Sequence, residues 1–169
     1  MDLIKKIEAT RQVGNEFLTW LFYRTASGTT GLLDTPQGPI ELSFEDRISF
    51  VSPYASGDAQ VLKGADLGES MDSLRAIAGG RLIDDAKVSI KFQEKRWEFV
   101  YSGSKFAPGG IKVPAVLADT ELETVIERFD LLATLEQVMR SLYDSFLSLR
   151  LDEKAWQTEV ANIRKWLQQ

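Results

Sequence analysis

Two neighbouring segments of this sequence alternate between apolar and polar residues with a period of two. The apolar positions are Ala86, Val88, Ile90 and Phe92 in the first segment, and Trp97, Phe99 and Tyr101 in the second. This period is typical of strands that bury one face, and a turn near Glu94-Lys95 predicts an antiparallel hairpin. A sheet with one apolar face needs a covering layer, which must come from helices elsewhere in the chain.

Four segments are predicted to form those helices. They are residues 3–24, 67–78, a long helix over 120–149 and a shorter one over 152–167. Thr120 with Glu123 forms a capping box, and Asp152 is a plausible cap for the last helix. In the long helix, spaced apolar residues from Leu122 to Leu149 form one broad stripe. We expect that stripe to serve as the apolar face of the helix.

The remaining strands are predicted from shorter patterns. Residues 40–44 and 47–50 alternate, with Glu45-Asp46 as a turn between them, and 60–63 forms another strand. A third strand beside the main hairpin is expected near 105–106 or 111–113, interrupted by Pro108-Gly109-Gly110. The strands come in adjacent runs, so the predicted fold is α+β, an antiparallel sheet packed against helices. We expect residues 1–169 to form a single domain.

The chain of 169 residues contains no cysteine and no histidine. These absences exclude thiol nucleophiles, disulfides, cysteine or histidine metal sites and the Ser-His-Asp triad. We therefore expect no catalytic residue, no metal and no cofactor. No apolar run is long enough to span a membrane, so we expect no membrane partner and a cytoplasmic location.

The segment 17–23 is apolar nearly all round, which is typical of a helix buried on all sides or at an interface. Burial in the chain's own core is the favoured interpretation. The alternative makes Phe17, Trp20 and Phe22 interface residues and, with the 120–149 helix, suggests a protein-interaction or dimerisation module.

Positive charge is concentrated in the predicted hairpin. Residues 81–112 carry seven Lys and Arg against four Asp and Glu, although the whole chain has a net charge of −5. Lys87, Lys91, Lys95 and Arg96 are expected on its polar face, with Lys105 and Lys112 just beyond. Lysines four residues apart on a strand are about 13 Å apart, so they can meet separate phosphates of a duplex. The alternative is a solvated sheet face whose lysines prevent edge pairing.

A third hypothesis, the catalytic one, rests on Asp84-Asp85-Ala86-Lys87. Carboxylates followed by a lysine can hold Mg²⁺ and steady a scissile phosphate, which describes a metal-dependent nuclease using Asp85 and Lys87. Such a site needs a further carboxylate, for which Asp66 or Asp72 is a guess. The spacing is permissive, so this hypothesis is the weakest of the three.

Several longer segments resemble the C-terminal half of the bacterial recombination-associated RdgC family, from about Gly14 to the end of the chain. The segments are Glu16-Phe17-Leu18-Thr19-Trp20-Leu21-Phe22-Tyr23-Arg24, Gln60-Val61-Leu62-Lys63-Gly64, Lys87-Val88-Ser89-Ile90-Lys91, Arg96-Trp97-Glu98-Phe99, Gly110-Ile111-Lys112-Val113-Pro114 and Phe146-Leu147-Ser148-Leu149-Arg150-Leu151 followed by Trp156.

The resemblance implies a nucleoid-associated, ring-shaped homodimer that binds double-stranded DNA with little sequence preference and limits assembly of a recombinase. Members have been called exonucleases, but no catalytic motif transfers to this sequence. The basic residues that match family positions best are Lys63, Lys87 and Lys91. The N-terminal half that completes the family's ring has no counterpart in these 169 residues.

Overall fold

The computed structural model of the chain describes residues 3–28, 32–54 and 57–169, with side chains described from residue 13 onward. In this part the elements are α1 (Leu3–Ala26), β1 (Leu32–Thr35), β2 (Gly38–Val51), β3 (Ala59–Lys63), a 3₁₀ turn (Leu67–Glu69), α2 (Met71–Ala78), β4 (Leu82–Phe92), β5 (Lys95–Ser102), β6 (Ala107–Lys112), α3 (Glu121–Leu151) and α4 (Glu153–Trp166). The predicted α+β class, with a long helix and a shorter one at the end, is confirmed.

The described strands form one antiparallel sheet in the order β1-β2-β4-β5-β6, with β3 also paired to β2. The predicted hairpin is its centre, because β4 and β5 pair with Val88 opposite Phe99 and Ile90 opposite Trp97. Their turn lies at Gln93-Glu94, both with positive φ. The face of the sheet that carries Val88 and Phe99 is buried, and we call it the inner face. The opposite face is called the outer face.

The turn predicted at Glu45-Asp46 is wrong, because these residues lie inside the single long strand β2. Residues 41–44 and 48–51 both pair with β4, and the register shifts between them. Residues 45–47 therefore form a bulge in which three residues of β2 lie opposite a single residue of β4, Lys87. The alternating apolar residues from Ile40 to Phe50 are buried on both sides of the bulge, so they face the same side of the sheet, as a continuous strand requires.

The predicted interruption at Pro108-Gly109-Gly110 is also wrong, since β6 runs through all three residues. Pro108 pairs with Tyr101 and Gly109 with Val100, and the register then shifts near Gly110, whose φ is +60°. An edge strand tolerates proline, which needs no ladder hydrogen bond on its free side.

Helix α1 lies against the inner face of the sheet. Phe17 contacts Tyr101 with ring centroids 5.8 Å apart, and Phe22 contacts Phe44 at 5.0 Å. Phe17, Trp20 and Phe22 are buried in the chain's own core. Burial is therefore the interpretation that holds for them, and the exposed apolar surface of the described residues lies elsewhere.

A close approach fixes where α1 crosses the end of the sheet. A Cβ on Gly14 would overlap the carbonyl oxygen of Gly103, so a side chain at this position has no room. One turn further on, the Thr19 hydroxyl accepts a buried hydrogen bond from the Ile83 N–H at 2.9 Å. The Thr19 hydroxyl donates in turn to the Asn15 carbonyl at 2.8 Å.

Helices α3 and α4 complete the helical layer. The Trp97 indole N–H donates to the Leu131 carbonyl at 3.1 Å and joins β5 to α3. The Trp20 indole N–H donates to Glu159 at 3.0 Å and joins α1 to α4. The predicted caps are confirmed, since Thr120 accepts from the Glu123 N–H and Asp152 accepts from the first turn of α4.

Candidate nucleic-acid and protein interfaces

Three of the predicted DNA-contacting residues lie on the outer face of the sheet. Lys91 pairs directly with Arg96 across β4 and β5, and Lys87 lies four residues away on the same face of β4, with Ser89 between them. Lys112 continues the group on β6, opposite Glu98. Lys91, Arg96 and Lys112 are exposed and Lys87 is half-buried. We call these four residues the outer-face cations.

The other predicted residues are more scattered. Lys63 is exposed at the end of β3 and lies opposite Arg47 of the bulge. Lys105 is exposed in the turn before β6. The placement of Lys95 on the polar face is wrong, because it pairs with Phe92 and shares the phase of the inner face. Lys95 remains exposed at the end of the hairpin.

Carboxylates lie beside most of the outer-face cations. The β2 bulge places Asp46 3.2 Å from the Lys87 ammonium and Glu45 2.9 Å from the Arg96 guanidinium. Arg96 also lies 3.4 Å from Glu98. These contacts are partly solvated, so they hold the side chains in place only weakly. The outer face is therefore a mixed-charge network and not the uniformly basic strip that the hairpin alone predicts.

Sequence reasoning missed this network because Glu45 and Asp46 were interpreted as a solvent-facing turn. The apolar residues of β2 keep the same alternation on both sides of Glu45-Asp46, and this pattern could have predicted one continuous strand. A bulge within a ladder can turn side chains toward the neighbouring strand.

The Asp84-Asp85 pair, which the nuclease hypothesis uses, lies at the start of β4. The Asn15 amide donates to Asp84 at 3.3 Å. Burial raises the pKa of the Asp84 carboxyl, repulsion from Asp85 adds to the rise, and hydrogen bonds from Asn15 and Ser104 oppose it. The candidate Asp72 lies 3.6 Å from Arg75 in an ion pair. Among the residues that the structure describes, no three carboxylates come together in a way that could hold a metal ion.

The predicted single stripe of α3 divides into two apolar faces. The buried face consists of Leu131, Leu135, Val138, Leu142 and Phe146. Leu122, Val125, Ile126 and Phe129, which were predicted to extend that stripe, are exposed. A helix turns by about 100° per residue, so the exposed set points roughly 150° away from the buried set. The apolar residues in the first third of α3 therefore lie on the far side of the helix and do not continue its buried face.

Two depressions lie on the described surface. A groove of about 330 Å³ between α3 and β6 is lined largely by apolar side chains, among them Leu132, Met139 and Ile111. Tyr101 also lines this groove, and burial, with a smaller contribution from Tyr143, raises the pKa of its phenol. A depression of about 540 Å³ lies between the end of α1, β2 and the 3₁₀ turn and includes Glu41, Asp66 and Glu69.

No protein-family model, curated protein or solved structure matches this chain. In the described part of the chain, each helix is too short or too polar to cross a membrane.

Proposed function

We propose that this protein is an RdgC-like, non-enzymatic DNA-associated protein that binds duplex DNA without sequence specificity through the outer face of its sheet. The observation that supports the proposal is the grouping of Lys87, Lys91 and Arg96 on one solvent-facing surface of two paired strands, with Lys112 on the next strand. By the same resemblance we propose a recombinase as protein partner, a homodimer as the assembly, and a cytoplasmic, nucleoid-associated location.

The spacing of the cations suits a phosphate backbone better than base edges. Lys87 and Lys91 are separated by about 13 Å along the strand, and Arg96 lies about 5 Å from Lys91 across the ladder. Cations on a gently twisted sheet reach phosphates without entering a groove, and phosphate contacts carry no sequence information. Binding should therefore be non-specific and strongly dependent on salt.

The ion pairs on this face add a further expectation. Lys87 and Arg96 must exchange Asp46 and Glu45 for phosphates, so part of the electrostatic gain is offset on binding. We expect modest affinity, at the weak end of the 10⁻⁴–10⁻⁶ M that is typical of non-specific binding at physiological salt.

Fluorescence anisotropy with labelled single- and double-stranded oligonucleotides across a salt series tests the proposal. Lys87→Glu combined with Lys91→Glu should abolish duplex binding, since two phosphate contacts become repulsions. Lys154→Glu combined with Lys165→Glu on α4 makes the same change in net charge at exposed positions and should retain most of the affinity. Salt-independent binding, or equal effects of the two double variants, contradicts the assignment of the outer face.

A second candidate function is a protein-interaction or dimerisation module without DNA binding of its own. The observation that favours it is the exposure of the apolar residues in the first third of α3. Size-exclusion chromatography with light scattering tests the dimeric form of this candidate, and a strict monomer at high concentration counts against self-association.

A further inference from the structure

The side of α3 that faces away from the core presents a contiguous apolar surface to solvent. Its residues follow i, i+3, i+4, i+7 and i+10 spacing, which places them on one side of a helix. Their exposed fractions are 71% for Leu122, 47% for Val125, 53% for Ile126, 67% for Phe129 and 37% for Leu132. We call these five residues the α3 patch.

The area of the α3 patch is suited to a specific interface. A fully exposed large apolar side chain presents roughly 150–200 Å². The exposed fractions of the five residues then correspond to about 500 Å² of apolar area. A standard interface takes about 800 Å² from each partner, of which somewhat more than half is apolar.

The groove between α3 and β6 extends the α3 patch. Leu132 belongs to both, so the apolar surface continues from the helix into the groove beside Ile111 and Met139. An elongated strip that ends in a groove is the shape into which an amphipathic helix docks, with its anchors at i, i+3, i+4 and i+7.

The charge around the α3 patch identifies the kind of partner. The exposed acidic residues around the patch and groove are Asp119, Glu121, Glu123, Asp130 and Glu136, and the basic ones are Arg128 and, at the groove, Arg140. Such a rim repels nucleic acid, and pairing with a second copy brings two acidic rims together. A cationic partner is the one that the rim attracts.

We propose that the α3 patch and its groove dock a basic amphipathic helix of another protein. The inference rests on the second candidate function and specifies its partner. Apolar anchors of the docked helix cover Phe129 and its neighbours, while its Lys and Arg residues face the carboxylates of the rim. Docking leaves the outer face of the sheet free, because the α3 patch belongs to the opposite, helical layer.

The test uses a fluorescein-labelled synthetic 18-residue Leu/Lys amphipathic helix and a matched Leu/Glu helix of identical apolar pattern. We expect the Leu/Lys peptide to bind and the Leu/Glu peptide to fail. Leu122→Ser combined with Phe129→Ser should weaken Leu/Lys binding at least about tenfold, as removal of central apolar anchors does. Leu151→Ser, at an exposed apolar position 81% accessible at the far end of α3, is the control and should leave binding unchanged.

A second pair of variants tests the charge of the partner. Asp130→Lys combined with Glu136→Lys, at exposed positions beside the patch, should weaken the Leu/Lys peptide and allow the Leu/Glu peptide to bind. Absence of Leu/Lys binding, equal binding of the two peptides, or insensitivity to the Leu122 and Phe129 changes overturns the proposal. Circular dichroism confirms that each variant remains folded before its binding is compared.

Sedimentation of the protein without peptide separates this inference from the candidate on which it rests. A dimer that Leu122→Ser with Phe129→Ser converts to a monomer shows that a second copy occupies the patch. That outcome overturns the inference while retaining the interaction module. A monomer that fails to bind the Leu/Lys peptide overturns the inference and leaves the interaction module without its supporting surface.

Discussion

Removal of the two bulge carboxylates should strengthen DNA binding. The change is Glu45→Gln combined with Asp46→Asn, which keeps the shape of both side chains and deletes their charges. Asp46 lies 3.2 Å from Lys87, and Glu45 lies 2.9 Å from Arg96. In the variant, Lys87 loses its ion pair and Arg96 retains only Glu98.

The magnitude follows from counterion release. Each cation that gains a full phosphate contact steepens the dependence of log K on log salt by about 0.9. At 0.1 M salt this corresponds to roughly five- to tenfold in affinity for each cation, or about 25- to 100-fold for both. The cost in folding is small, since an exposed ion pair contributes about 0–1 kcal/mol. The Ser43 hydroxyl can still donate to the amide oxygen at position 45, as it now does to Glu45 at 2.9 Å.

The assay is duplex anisotropy from about 50 to 300 mM salt, the range over which phosphate contacts change affinity most visibly. Asp119→Asn combined with Asp144→Asn makes the same change in net charge at exposed positions away from the outer face. The bulge variant should bind more tightly with a steeper salt slope, and the control should differ little from the parent. A bulge variant that binds no better than the control, while unfolding normally, refutes the role of this network.

Three further predictions concern the fold that supports the site. Gly14→Ala should lower the free energy of unfolding by about 1–3 kcal/mol in urea titrations, because overpacking against the Gly103 carbonyl outweighs the gain of up to about 1 kcal/mol in helix propensity. Thr19→Val should cost about 1–3 kcal/mol, since it leaves the buried Ile83 N–H without its acceptor. Asp84→Asn should raise stability at pH 7, because burial and the adjacent carboxylate raise the pKa of Asp84 and so disfavour its charged form in the folded state. That advantage should disappear as pH falls below the ordinary Asp range, where the carboxyl is protonated in both states.

Matched variants distinguish these causes from general effects. Ala133→Gly on the exposed side of α3 measures the propensity difference between Ala and Gly without a clash, and it should cost up to about 1 kcal/mol. A stabilised Gly14→Ala protein contradicts the close approach of α1 to Gly103. Thr19→Ser keeps the hydroxyl and should retain most of the stability lost in Thr19→Val. An Asp84→Asn advantage that is the same at pH 3 as at pH 7 excludes charge as its cause.

The interpretation of the sequence succeeded where one local pattern was sufficient. Period-two alternation located β4 and β5 and their inner face, from Val88 to Phe99. The caps at Thr120 and Asp152 fixed the starts of α3 and α4. Both signals involve only residues that are close together in the sequence.

It failed where two elements that are distant in sequence determine the conformation. Glu45-Asp46 resembles a turn locally and becomes a bulge only because both halves of β2 pair with β4. Pro108 and Gly109 resemble an interruption and become part of an edge strand because β5 supplies a partner on one side. The pairing partner, and not the local sequence, decides these cases.

Local sequence patterns were sufficient to predict the fold class, the phase of the central hairpin and the placement of Lys87, Lys91 and Arg96 on its polar side. The neighbours of those cations depend on long-range strand pairing, because Glu45 and Asp46 reach them from another strand. Long-range packing also makes Phe17 to Phe22 part of the core, whereas the apolar residues in the first third of α3 lie on the surface. A sequence pattern shows that a face is apolar, but the packing of the other elements decides whether anything covers it.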